Sequence, residues 1–203
     1  MASIYPMEAQ ADSSTSPAPS TPEQLALVDQ IQGLKDIKFG ATLDSFDKSL
    51  LKAVQEGPTY SIYQYLKTDG ITWGTFTPSY IELQFYYGQL IGISFSFNEE
   101  NGDLIAMYKA ALQKYGASES SYGNVPFING GYSGPSWTTS NIQMIVALPQ
   151  DIPAGDYGDF LKKKGTGAVA LLDIGLRKKI SSEKLEAAKQ EMQKAHDLDK
   201  IET

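Results

Sequence analysis

The segment YIELQFYYGQLIGISFSF, residues 80–97, and the helical pattern that follows it decide the expected fold. Ile81, Leu83, Phe85 and Tyr87 alternate with Glu82, Gln84 and Tyr86. Beyond a Gly88-Gln89 turn, Ile91, Ile93, Phe95 and Phe97 alternate with Gly92, Ser94 and Ser96. Period-two alternation on both sides of a glycine turn is the pattern of a β-hairpin with one apolar side. That side needs a cover. Leu104, Tyr108, Ala111, Leu112 and Tyr115 recur at helical spacing and stop at Gly116, a natural helix terminator, so the next segment supplies the cover.

The chain has 203 residues, 41% hydrophobic and 20% charged, the proportions of a soluble globular domain. One domain with a tail is expected at this length. The net charge of −7 argues against a phosphate-backbone partner, since duplex binding rests on clustered Lys and Arg. The basic groups at 162–164 and 177–179 are short and read as solvated edges. Nucleic acid is not an expected ligand. Cysteine is absent, which excludes disulfides, thiolate metal sites and a cysteine nucleophile. No window holds the roughly 18 uninterrupted apolar residues of a membrane helix.

Ala9-Gln10-Ala11 has the form of a signal-peptidase site and precedes Asp12 and a run of Ser, Thr and Pro. Met1 to Met7 contains neither a basic n-region nor an apolar h-region, so the expectation is a chain that keeps only the end of an export signal and resides in the periplasm or outside the cell. An ordinary cytosolic tail is the competing reading. Residues 1–20 are expected to be a disordered leader and residues 21–203 a single α+β domain.

Thr21-Pro22-Glu23-Gln24 is a capping box with proline at the first helical position, followed by Leu25, Val28 and Ile31 on one face. A second helix is expected from Thr42, with Leu43, Phe46, Leu50 and Val54 in one stripe, ending at Gly57-Pro58. Further strands are expected at 60–66, 71–77, 141–148 and 168–176, the last two apolar on both sides and therefore internal. A final helix is expected from Ser181, with Ile180 and Leu185 as a hydrophobic staple. Its stripe of Leu185, Ala188, Met192 and Ala195 is thin, so it docks lightly or projects as a contact arm. The expected architecture is an antiparallel sheet of five or six strands with helices packed on one face.

Gly33-Leu34-Lys35-Asp36-Ile37-Lys38-Phe39-Gly40-Ala41-Thr42, a G-x-x-(F/W)-G-x-(S/T) opening, resembles the start of many small bacterial envelope proteins. The hairpin, the helix ending Gln113-Lys114-Tyr115-Gly116 and Trp137 before a strand continue the pattern, which spans residues 33–148. Similar openings occur in BamE-like lipoproteins of outer-membrane assembly and in β-lactamase-inhibitor-like modules. The resemblance implies helices against an antiparallel sheet and a role in protein contact. No acylatable cysteine is present, and no functional residue carries over.

Catalytic chemistry finds little support. His196, the single histidine, lies among charges on the last helix, and one imidazole without cysteine cannot complete a zinc site. Glu99, Glu100 and Asp103 favour a helix N-terminus. Asp151, Asp156 and Asp159 lack the ligand spacing of a calcium loop. Gly165-Thr166-Gly167 lacks the lysine of a phosphate-binding loop. No metal and no cofactor is expected.

The segment 116–137 is long for a loop, and it interleaves Tyr122, Phe127, Tyr132 and Trp137 with glycine and asparagine, a mixture used at protein contact sites. These four residues form the candidate partner-binding site. The competing reading folds the loop over the sheet and buries Phe127 and Trp137. The leading expectation is a non-catalytic exported bacterial protein that binds another, unidentified protein through this loop or an exposed sheet face. The alternative is a small-ligand or glycan binder that stacks sugars on Trp73 and Trp137. A carboxylate-dependent hydrolase is third.

Overall fold

A computed structural model of the chain describes residues 19–98, 103–117, 136–147 and 166–199. Three α-helices are present among them, α1 (Pro22–Asp29), α2 (Asp103–Tyr115) and α3 (Ile174–Asp199). A two-residue ribbon joins β1 (Gly33–Leu34) to β2 (Ile37–Lys38). The remaining strands are β3 (Leu51–Gln55), β4 (Tyr60–Tyr65), β5 (Tyr80–Tyr86), β6 (Gln89–Asn98), β7 (Ser136–Thr138), β8 (Ile142–Ala147) and β9 (Thr166–Asp173). They form one antiparallel sheet of seven strands in the order β3-β4-β5-β6-β9-β8-β7, so the protein is of the α+β class.

The expected hairpin is the centre of this sheet, with two changes of detail. Its turn is Tyr87-Gly88, both at positive φ (47° and 75°), the pairing that matches the twist of a two-residue hairpin loop. A β-bulge then sets Gln84 opposite Gly92 and Phe85 opposite Leu90, leaving Ile91 as the extra residue. The bulge reverses the alternation. Leu90, Ile93 and Phe95 face one core with Ile81, Leu83 and Phe85, while Ile91 faces the opposite side of the sheet.

On the first face, α1, α2 and the β1–β2 ribbon cover the apolar row through Val28, Ala111, Tyr115, Leu34 and Ile37. The capping box of α1 is formed, with Thr21 Oγ1 accepting from the Gln24 amide and Gln24 Oε1 accepting from the Thr21 amide. Helix α2 stops at Gly116, whose φ of +78° and N–H hydrogen bond to the Leu112 carbonyl make the left-handed cap. A Cβ at Gly116 would lie 2.7 Å from the Ser20 Cα, because Ser20 folds back to donate its hydroxyl to the carbonyls of Tyr115 and Ala117. Order therefore reaches at least to Pro19, which bridges to Ala117.

Three expectations are corrected. Residues 42–55 form two short 3-10 turns and then β3, not a helix. Phe46 is extended, Asp47 takes the Ser49 amide on its carboxylate, and the segment beyond completes the sheet beside β4. Pairing to an open sheet edge outweighs the modest helical preference of the stripe. Residues 71–77 make no sheet strand: Trp73 and Phe76 exchange backbone hydrogen bonds of 2.8 and 3.1 Å across a tight turn. With β3 and β7 gained and this segment lost, the sheet has seven strands rather than five or six.

Helix α3 gives the third correction, because it begins at Ile174 rather than Ser181 and contacts the sheet from its second face. The helices therefore do not all lie on one face. Asp173 starts it, accepting the Leu176 amide at 2.7 Å on Oδ1, so Ile174 and Leu176 leave the expected strand for the first helical turn. That second face is built from small and polar residues, with Ser94, Ser96, Ala168 and Ala170 all buried.

Candidate functional site

Of the four residues read as a partner-binding loop, Trp137 is described, and it is a core residue. It is 1% exposed, its indole N–H donates to the Gly116 carbonyl at 3.1 Å, and its ring lies 6.1 Å from Tyr115. A side chain so enclosed presents no contact surface. Tyr122, Phe127 and Tyr132 lie outside the described residues, as do Glu99, Glu100, Asp151, Asp156 and Asp159. Tyr63 and Tyr65 pack edge-on against Phe85 and Phe46, with ring centroids 5.9 and 6.4 Å apart, as cross-strand packing requires.

Among the described residues, two concavities lie beside the first core. The smaller, of about 250 Å³, is walled by Trp73, Phe76 and Tyr115, floored by Ala110 and Ala111, and has Lys114 at its rim. The larger is an open polar groove of about 540 Å³ where α1, β2, β8 and α3 meet, carrying Asp29, Gln32, Lys38, Asn141 and Asp173. Partial burial raises the Asp173 carboxyl above its ordinary range, against the pull of the Leu176 and Gly175 amides. Its Oδ1 is occupied in capping the helix. Among the described residues no three His, Cys, Asp or Glu gather into a metal site.

A buried polar cluster crosses the second face of the sheet. Tyr80 donates its hydroxyl to Glu82 Oε1 at 2.8 Å, and the Ser94 hydroxyl reaches Oε2 at 3.4 Å. Burial nevertheless wins and raises the Glu82 carboxyl above its ordinary value. Beside it the Gln84 amide oxygen is enclosed with no hydrogen-bond partner among the described residues, filling the space a side chain at Gly92 would occupy.

The feature that faces outward is α3. Its first two turns are locked down: Ile180 is 2% exposed and packs with Ile91, Ile145 and Leu172, and Ile174 and Leu176 join them. Beyond that apolar foot stands a tyrosine platform at the sheet end. Tyr60 and Tyr86 lie 4.6 Å apart and Tyr86 and Tyr87 4.8 Å apart by ring centroids. The helix grips them through three residues at helical spacing. Arg177 sits 5.7 Å from the Tyr60 ring and 6.0 Å from Tyr86, Ser181 Oγ meets the Tyr86 hydroxyl at 3.0 Å, and the Lys184 ammonium lies 5.0 Å from the Tyr87 ring. Burial raises the Tyr60 phenol above its ordinary value, with Arg177 opposing.

From Ser182 onward the helix leaves the sheet, and every residue from 182 to 194 is exposed. At 1.5 Å per residue the 18 positions from 182 to 199 extend about 27 Å. Its composition of Glu, Lys, Leu, Ala, Gln and Met, with ion pairs Lys189–Glu186 at 2.8 Å and Lys179–Glu183 at 4.0 Å, suits a helix without tertiary support. Yet Leu185 and Met192 stand 56% and 74% exposed on it. The thin stripe was legible in the sequence. The platform was not, because Tyr86 and Tyr87 read as strand residues and Arg177 as part of a solvated basic edge.

Comparison of the chain with protein-family models, with curated proteins and with solved structures gives no match. No helix among the described residues is long and apolar enough to cross a membrane.

Proposed function

We propose that this chain is a non-catalytic interaction protein whose contact element is the free part of α3. The observation that carries the reading is a rigid foot joined to an exposed arm: Ile180 enclosed at one end, Leu185 and Met192 open at the other. An arm without an anchor would dissipate binding energy in ordering, whereas a helix already formed and gripped at its base avoids that cost. The loop residues Tyr122, Phe127 and Tyr132 form a second contact surface in this reading. Export rests on Ala9-Gln10-Ala11 of the sequence.

A photo-crosslinking amino acid at Ala188, in the full chain and in the cell that makes it, tests the proposal. A discrete adduct is expected, lost when Leu185 and Met192 are both replaced by Glu. An adduct pattern indifferent to those replacements, or none at all, removes the arm as contact element. The hollow beside Trp73 favours the small-ligand or glycan reading as the second choice. Quenching or enhancement of Trp73 fluorescence by soluble glucans, in a Trp137→Phe background, is the measurement that would promote it.

A further inference from the structure

On the face of the sheet opposite α3, we infer that the hollow beside Trp73 binds a small aromatic carboxylate, its ring seated against Trp73, Phe76 and Tyr115 and its carboxylate paired with Lys114. The inference narrows the small-ligand reading of that hollow and is independent of the arm. The aromatic wall is held from behind. Trp73 and Phe76 exchange backbone hydrogen bonds of 2.8 and 3.1 Å across a two-residue turn, so as a bridged pair they project to the same side. Trp73 is braced by Phe95, 5.6 Å away by ring centroids, and Tyr115 by Trp137 at 6.1 Å. The floor is made by α2, where Ala110 and Ala111 stand one helical turn before Lys114 and Tyr115. Two alanines leave the space open where longer side chains would fill it. Gly74, at φ +62° in the turn, adds to the opening, with nothing within 4 Å of where a Cβ would stand.

Volume, lining and charge select the occupant. The hollow measures about 250 Å³, room for one ring with a short side arm, given that about 150 Å³ of apolar space suffices for benzene. No side-chain carboxylate, amide or aliphatic hydroxyl lines it. A sugar carries hydroxyls around its whole edge, and each one taken from water without a partner weakens binding. A planar apolar ring leaves no such group unpaired, and it can lie offset or edge-on against the aromatic wall. Three aromatic rings would also suit an organic cation, but the ammonium of Lys114 at the rim repels one. Lys114 is the charged group of the lining. Its ammonium lies 5.1 Å from the Tyr115 ring, and it forms no salt bridge among the described residues. A carboxylate at the mouth supplies the missing counter-charge while its ring displaces water from the apolar wall.

Titration calorimetry of the full chain with phenylacetate, 2-phenylethanol, 2-phenylethylamine and a soluble glucan tests the assignment. Phenylacetate is expected to bind with a Kd of about 0.1–1 mM, as a ligand of about ten non-hydrogen atoms allows. The neutral alcohol should bind about fivefold more weakly and the amine more weakly still. Lys114→Gln brings phenylacetate down to the level of 2-phenylethanol and leaves the alcohol unchanged, a split that general damage to the fold would not give. Ala110→Leu, at an exposed helix position, fills the hollow and removes both. No binding of phenylacetate up to about 10 mM overturns the inference, as does equal affinity for acid and alcohol, or binding that survives Ala110→Leu. Binding of the glucan without phenylacetate overturns it while leaving the small-ligand reading in place.

Discussion

Helices α2 and α3 both lie against the same sheet, yet they end differently. Helix α2 places Ala111 and Tyr115 in the first core beside Trp137, and Ser20 pins its final turn. Helix α3 is twice as long and buries Ile180 at its foot, after which it runs free. Both carry apolar residues three and four apart. The difference lies in what is underneath: α2 lies on the larger core of Ile, Leu and Phe side chains, whereas α3 lies on a smaller cluster of Ile91, Ile145, Leu172 and two alanines and then passes the sheet end at Tyr87. An amphipathic stripe becomes core or contact surface according to how far the partner layer extends.

Truncations on the two helices' contacts sharpen that contrast. Trp137→Ala, beneath α2, is expected to cost about 3–5 kcal/mol in urea unfolding, the range for deleting a buried aromatic. A change under about 0.5 kcal/mol would return Trp137 to the surface, where a partner could reach it. Ile180→Ala at the foot of α3 should cost about 2–5 kcal/mol. Gly116→Ala is expected to cost more than about 1 kcal/mol, from both the positive φ and the approach of Ser20. Met192→Ala, on the same helix as Ile180, should leave stability within about 0.5 kcal/mol. Equal effects of Ile180→Ala and Met192→Ala would mean that the arm is docked in solution.

The second face also differs from the first in its response to pH. Glu82 holds its proton more tightly folded than unfolded, because burial raises its carboxyl above the ordinary 4.5. Its contribution is fully present below the unfolded value and declines as pH rises through the window up to the folded value. Glu82→Gln keeps an acceptor for the Tyr80 hydroxyl and removes the ionisation. Melting temperature followed from pH 4 to pH 8 should fall less steeply in that variant than in the parent; parallel curves would place the pH dependence elsewhere.

Much of this was legible in the amino-acid order. The capping box at Thr21 fixes the start of α1 locally, and alternation in 80–97 with the helix to Gly116 announces the central hairpin and its roof. These succeed because cap, turn and periodicity are short-range properties. Strand β3 was hidden because Leu43, Phe46, Leu50 and Val54 keep helical spacing by coincidence, and only the open edge beside β4 makes 51–55 extend. Ile91 looked like a member of the core row, and the bulge that turns it around depends on pairing with Gln84 and Phe85. Strand β7 is three residues long, too short for periodicity to mark.

The candidate site divides the same way. The 3-4-3 spacing of Leu185, Ala188, Met192 and Ala195, the good helix formers between them and the lack of any thiol are written in the residues themselves. The exposure of Leu185, Ala188 and Met192 is not. Whether such a stripe is covered depends on where β5 and β6 turn, on the three tyrosines that grip Arg177, Ser181 and Lys184, and on the sheet ending there. Burial is a relation between distant segments, and no local pattern encodes it.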